Sequence, residues 1–301
     1  GVVGLKPTYG LGSRFGLIAF ASSLDQIGPV GRSVMDCALV LNALAGHDPR
    51  DATSVAREPV DYSAGLGQEL NGLRLGVPEE YFVEGMDPGV RRAIENGISV
   101  LEGLGASVRP VSLPTTRYAL ACYYIIAPSE CSANLARYDG VKYGYSYQDT
   151  DDMWEAMEKT REHGFGPEVT RRIMLGTYSL SSGYYDAYYL KAQQARTLIR
   201  QDFNRVFQDV DALVTPTSPV TAFKIGDKIG DPVQMYLIDV CTLPVNIAGL
   251  PGLSVPCGFS DGLPVGMQLI GPHFSEETLI KTAHAYEIAT DWNSERPAIL
   301  R

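Results

Sequence analysis

Basic residues are the scarce charge in this sequence: 25 Lys and Arg stand against 35 Asp and Glu, a formal net charge of −10. A nucleic-acid footprint needs clustered cations that displace counterions, and an anionic lipid surface needs the same, so neither is a partner this chain reads directly. Any dealing with RNA has to run through another protein. Long apolar runs are also missing. The best candidate, Ala119 to Ala127, stops at Pro128 and Glu130, well short of a bilayer span. The five cysteines (Cys37, Cys122, Cys131, Cys241 and Cys257) are odd in number and scattered, with no C-x-x-C pair. That pattern implies free thiols in a reducing cytoplasm and excludes a disulfide framework or a zinc site. Histidine is sparse: His47, His163, His273 and His284 show neither H-x-x-x-H nor H-x-E spacing. The strand–G-x-S-x-G–helix elbow is absent, although a triad assembled in space stays open. No repeat, low-complexity tract or linker interrupts the chain.

What is present reads as mixed α/β. The 301 residues, 45% of them hydrophobic, suffice for a substantial core. The first residues, Gly1-Val2-Val3-Gly4-Leu5, form an apolar, β-branched run closed by Pro-Thr-Tyr-Gly. This reads as a strand buried on both faces inside a sheet. Chain ends usually lie at exposed, loosely held positions, so the residues read as the continuation of something longer. SVMDCALVLNALAG (33–46) is a helix with Ser33 as cap, Asp36 at the capping-box position and Gly46 at its exit. LRLGVP (73–78) is a strand. The helix over 87–105 follows, with Asp87 capping and Pro88 at the first helical position. SVRPVSLP (107–114) is a strand again, and this β-α-β order implies a partly parallel sheet covered by helices. Residues from about 115 to 211 form a mainly helical, insertion-like region within one domain, its longest helix running over 184–210. Strands return at 212–216, 252–258 and 265–271. The last two are joined through an Asp-Gly turn, which marks an antiparallel hairpin. A helix over 276–290 closes the chain.

The chemistry-bearing residues have plain rivals. GLGSRFG (10–16) lacks Gly-Lys-Thr and reads as a tight loop packed against other backbone rather than a phosphate cradle. Lys6, near Ser13 and Ser22-Ser23, invites a Ser-Lys pair, but a strand-end lysine is ordinarily solvated. Asp25, ahead of Gly28-Pro29, reads as a turn residue whose carboxylate binds backbone amides. His284 lies at helical spacing among apolar residues and reads as structural.

Five stretches, GVVGLKPTYGLGSRFGLIAFASSLDQIGPVGRSVMDCALVLNALAGHDPRDATS, YDGVKYG (138–144), SSGYYDAYYLKAQQARTLI (181–199), TPTSP (215–219) and NIAGLPGLSVPCG (246–258), closely resemble the amidase signature family. Within it they resemble the glutamine-hydrolysing subunits of tRNA-dependent amidotransferases, and together they cover nearly the whole chain. The resemblance implies the amidase signature fold, α/β with a mixed, largely parallel β-sheet sandwiched by helices, N-terminally incomplete here. It also implies a nucleophilic serine, a serine after a cis peptide and a basic lysine, all preceding Gly1. The chain would therefore hold no catalytic residue of its own and be inert alone. The intact subunit would release ammonia from glutamine. A B subunit would use ATP and Mg²⁺ to convert Glu-tRNA(Gln) to Gln-tRNA(Gln), and a small C subunit would wrap the assembly.

No metal or cofactor is implied for this chain. The resemblance places glutamine recognition on Arg172, for the α-carboxylate, and on Asp239, for the α-ammonium. Tyr123 would line the amide end. A planar guanidinium suits a carboxylate because it donates two parallel hydrogen bonds. Residue by residue, plainer readings stay open. Arg171 lies about 100° round the same helix, so one of the two arginines faces a pocket. Asp239 among apolar neighbours needs a partner if buried, and Tyr123 beside Tyr124 fits core packing. A free-standing amidase, or a non-catalytic binding module, are the alternative functions.

Overall fold

The computed structural model describes residues 1–67, 69–227, 235 and 238–297. Along the chain run β1 (Val3–Lys6), β2 (Val30–Gly31), α1 (Val34–Leu44), β3 (Arg74–Pro78), α2 (Pro88–Gly103) and β4 (Ser107–Val111). Then come α3 (Ala119–Leu135), α4 (Met153–Gly164), α5 (Pro167–Leu180) and α6 (Lys191–Val206). The last third holds β5 (Ala212–Pro216), α7 (Leu243–Ala248), β6 (Gly252–Ser260), β7 (Leu263–Ile270) and α8 (Glu276–Ile288). The chain divides into two compact units. The first comprises Gly1–Phe15, Gln26–Leu120 and Thr197–Arg301; the second comprises Gly16–Asp25 and Ala121–Arg196.

Local hydrogen bonds fix the element ends in the first unit. The Ser33 hydroxyl accepts from Asp36 N (3.1 Å) while the Asp36 carboxylate accepts from Ser33 N (2.9 Å), closing the capping box of α1. Asp87 accepts from Gly89 N and Val90 N at 2.8 and 2.9 Å and so starts α2, with Pro88 needing no donor at the first position. Asp261 and Gly262 both adopt positive φ (50° and 77°), the geometry a two-residue hairpin turn demands. This turn joins β6 to β7 as the sequence implies.

Among the described residues the strands form one seven-stranded sheet in the order β2-β1-β6-β7-β5-β3-β4. Its mixed α/β character is the one anticipated, and it is partly parallel as the β-α-β order implies, but parallel pairing takes a smaller share than the largely parallel sheet expected from the resemblance. Among the described strands, only β3–β4 and β3–β5 are parallel. The β1–β2, β1–β6, β6–β7 and β5–β7 ladders are antiparallel. The reason is the β6–β7 hairpin, which inserts between β1 and β5 and reverses direction on both sides.

Period-two alternation gives the sheet one apolar face and an opposite face that carries a polar row beside the buried Leu213–Ile270 pair. The row Leu5–Leu253–Leu269–Val214 runs across four strands, buried, into a core shared with α1, α2 and α8. The adjacent row Gly4–Ser254–Gln268–Thr215 points the other way. β1 is accordingly buried on the Val3 and Leu5 side and half-buried on the Gly4 and Lys6 side, rather than buried on both faces.

The second unit is helical and held by small residues. Gly176 on α5 lies so close to α3 that an added Cβ would overlap the Pro128 carbonyl oxygen. Beside it the Ser129 and Ser179 hydroxyls meet at 2.7 Å. Residues 16–25 are tied to the helices: Asn134 Nδ2 donates to Phe20 O (3.0 Å) and Ser22 Oγ (2.8 Å). Arg196 donates to Ser23 Oγ and Ser23 O at 2.7 and 3.0 Å. Asp25 accepts from Phe20 N and Ala21 N at 2.8 and 2.9 Å, the side-chain-to-amide turn that its sequence context implies. The long helix read over 184–210 is instead a π-helical turn at Asp186–Leu190 followed by α6.

Candidate functional site

The close approach at Gly176 has a local consequence. Arg172, one turn earlier on α5, is brought against Tyr123 on α3, with its Nη1 donating to the Tyr123 hydroxyl at 3.4 Å. Arg172 Nε donates to Glu168 Oε1 at 2.9 Å, an i,i+4 ion pair within α5. Its Cζ lies 5.7 Å from the ring centroid of Phe20, within cation–π range. Burial pulls the guanidinium's pKa down, but Glu168 and the Tyr123 hydroxyl more than reverse this and hold it above the usual arginine range. Tyr123 in turn meets Tyr124 edge-on, centroids 5.0 Å apart.

The two neighbouring arginines separate as helical geometry requires. The Arg172 side chain is 21% exposed and the Arg171 side chain 47%, and only Arg172 reaches Tyr123. Both donate to Glu168, Arg171 through Nη1. A single carboxylate thus faces two cations, and the cluster keeps a surplus positive charge suited to an incoming carboxylate. The sequence reading overlooked Glu168 and Phe20. Glu168 was visible as an acid four residues before an arginine on one helix; Phe20, nearly 150 residues from α5 in the chain, carried no such signal.

Asp239 belongs to the first unit. It lies on the turn before α7, where its carbonyl accepts from Thr242 N and Leu243 N, both at 3.0 Å. The residue is exposed, so the condition of burial under which its apolar sequence neighbours would demand a partner is not met. Residues 236 and 237 lie outside the described residues, so only part of its local stretch is seen.

Also in the first unit, the polar sheet face lines a cavity of about 350 Å³, with Lys6, Gln26, Thr217, Asn246, Ser254 and Gln268 among its walls. Lys6 Nζ donates to Pro7 O at 3.1 Å. The Gln26 carboxamide, oriented to satisfy its neighbours, accepts from Nζ at 2.7 Å and donates to Pro7 O at 2.9 Å. Burial pulls the Lys6 pKa down to about 7 against the opposing pull of Glu276. Lys6 is therefore not the solvated strand-end lysine that its position suggested. It shares a sheet face with Gly4, and the fold turns that face onto a cavity. The Thr217 and Ser254 hydroxyls meet at 2.7 Å and also line a second cavity of about 350 Å³, beside Gly1, Val2 and Phe223. An amine so close to neutrality can both accept and donate a proton at physiological pH.

The remaining thiols and histidines supply no further centre. All five cysteines are free and buried. Among the described residues, no three His, Cys, Asp or Glu side chains come together as metal ligands. No helix there is long and apolar enough to cross a membrane.

The sequence profile of the family described as Amidase matches residues 1–280. The A subunit of the glutamyl-tRNA(Gln) amidotransferase of Dehalococcoides mccartyi is 60% identical over 299 residues, 99% of this chain and 62% of that protein. Its namesake from Chloroflexus aggregans is 62% identical over 301 residues, all of this chain and 62% of that protein. The crystal structure of the corresponding glutamyl-tRNA(Gln) amidotransferase A subunit from Thermotoga maritima superposes with a TM-score of 0.80 at 44% identity, covering 99% of this chain and 60% of that one. The chain thus spans about three-fifths of the length of the proteins it matches. With a family match running over most of its length and a shared mixed α/β fold, the chain belongs to the amidase signature family.

Proposed function

We propose that these residues are the larger part of a glutamine-hydrolysing subunit that supplies ammonia for converting Glu-tRNA(Gln) to Gln-tRNA(Gln). The observation that carries this reading is the Arg172 guanidinium, anchored by Glu168 and hydrogen-bonded to Tyr123. Such a group is built to hold a carboxylate, which glutamine has and a simple amide lacks. The 60% identity to proteins of that name supports the choice. In this reading Arg172 takes the substrate's α-carboxylate, Asp239 its α-ammonium, and Tyr123 the amide end.

The chemistry belongs to residues outside these 301. A serine hydroxyl attacks the side-chain carboxamide carbon, and a lysine working through a second serine accepts its proton and returns it to the departing ammonia. Water then cleaves the glutamyl ester. On its own, the present chain binds without turning over. A B subunit accepts the ammonia, activating Glu-tRNA(Gln) with ATP and Mg²⁺, and a C subunit joins the assembly. The setting is the cytoplasm.

The test is Arg172→Ala in the full-length subunit with its partners. Loss of a charge-assisted pair costs about 1.5–3 kcal/mol, so KM for glutamine should rise roughly 10- to 150-fold. An unchanged KM would replace this reading with a free-standing amidase acting on a neutral amide.

A further inference from the structure

We infer that Glu168 is a positioning residue for substrate recognition: it fixes the Arg172 guanidinium by the Nε edge and leaves the opposite edge to the ligand. This rests on the reading of Arg172 as the carboxylate receptor. Glu168 Oε1 takes Nε at 2.9 Å, and Tyr123 takes Nη1 at 3.4 Å. Arg172 Nη2 has no hydrogen-bond partner among the described residues. A carboxylate binding end-on to a guanidinium takes one N–H from each of the two Nη groups, all in one plane. The short Nε contact sets that plane, while the long contact to Tyr123 is weak enough to yield.

The second arginine tunes the same device. Glu168 also accepts from Arg171, so its charge is divided between two guanidinium groups. Were Glu168 paired with Arg172 alone, its charge would largely cancel the attraction for an incoming carboxylate. Sharing it leaves Arg172 oriented but only partly neutralised. Arg171 thereby gains a role that its exposure alone would not suggest. Glu168 never meets the reacting amide, and its influence is confined to ligands that carry an α-carboxylate.

The measurement is steady-state glutamine hydrolysis by the full-length, assembled enzyme. Inhibition by 4-aminobutanamide, which is glutamine without its α-carboxylate, is measured alongside. Glu168→Ala should raise KM for glutamine about tenfold or more, with kcat within twofold and the Ki of 4-aminobutanamide within twofold. Glu168→Gln keeps the acceptor on Nε and should recover most of the loss, staying within about threefold of the parent. Glutamine KM unchanged in both variants overturns the inference. So does an equal loss for glutamine and 4-aminobutanamide, which would mark a merely structural residue. If the Ala variant fails to assemble, Glu168→Leu, which keeps the bulk but removes the acceptor on Nε, decides, with an unchanged ratio of the two constants counting against the proposal. Arg172→Ala separates the levels. If it leaves glutamine KM unchanged, the parent reading falls; if it raises KM while Glu168→Ala does not, only the role of Glu168 falls.

Discussion

At the scale of single residues, Lys6 is the position where burial and charge are most at odds. Its amine sits beside the cavity with pKa near 7, against an ordinary value of 10.5. An unfolded chain holds this proton up to about pH 10.5, whereas the folded chain gives it up near 7. Between those limits the unfolded state binds more protons, so stability rises with pH across the window and is insensitive to this group below it. The buried thiols act in the opposite sense. Burial pushes Cys37 and Cys122 up to about 11 and Cys241 and Cys257 up to about 12, so they erode stability once pH passes their unfolded value near 9. Urea unfolding at pH 7.0 and 8.5, compared between the parent and a variant without the amine, therefore isolates the lysine. The parent protein should gain about 1–2 kcal/mol over that interval, and Lys6→Met should lack the gain. Identical pH dependence in the two proteins would show that Lys6 keeps an ordinary pKa.

At the scale of elements, the α3–α5 crossing sets the geometry of the arginine site. Gly176 is there because any side chain would collide with the Pro128 carbonyl. Gly176→Ala should push the two helices apart, costing about 1–3 kcal/mol in thermal or urea unfolding, and should also raise glutamine KM by separating Arg172 from Tyr123. A control with the opposite sign lies on α2, where a Cβ at Gly103 meets nothing within 4 Å. There Gly→Ala should be neutral or stabilising by up to about 1 kcal/mol, since alanine loses less backbone entropy in a helix. If Gly176→Ala proves as harmless as Gly103→Ala, the crossing does not set the geometry of the arginine site.

The elements also show which parts of the fold could be read from the chain and which could not. The capping box at Ser33 and Asp36, the Asp87-Pro88 start and the Asp261-Gly262 turn depend on hydrogen bonds among residues two to four apart, so local sequence reports them. Strand direction depends on partners far along the chain, which is why the parallel share was overestimated. The exposure of Asp239 and the cavity beside Lys6 are likewise set by what packs nearby, not by neighbours in sequence. Tyr123 and Arg172 were singled out through family resemblance; helical spacing alone would have left Arg172 indistinguishable from Arg171.

At the scale of the whole molecule, the net charge of −10 bears on RNA. Neutralising phosphates is what gives protein–nucleic acid binding its affinity and its salt dependence. This chain alone should show no salt-dependent retention of tRNA in a gel-shift assay, even at about 50 mM salt, where phosphate contacts are strongest. Retention that falls steeply as salt rises would reveal a local basic surface and overturn the inference drawn from composition.

The ladder between β1 and β6 has one more consequence, which concerns synthesis on the ribosome. Gly4 pairs with Ser254, so the strand that shelters Val3 and Leu5 on one edge is translated roughly 250 residues after them. At about 5–20 residues per second, that interval is on the order of tens of seconds. Among the described residues, the two-residue β2 is the ladder partner of β1 made within that interval. A segment so apolar and so long without its neighbour is a natural client for chaperones that bind emerging chains. Slowing translation between β1 and β6 should therefore lower the yield of folded protein more than slowing it after β7.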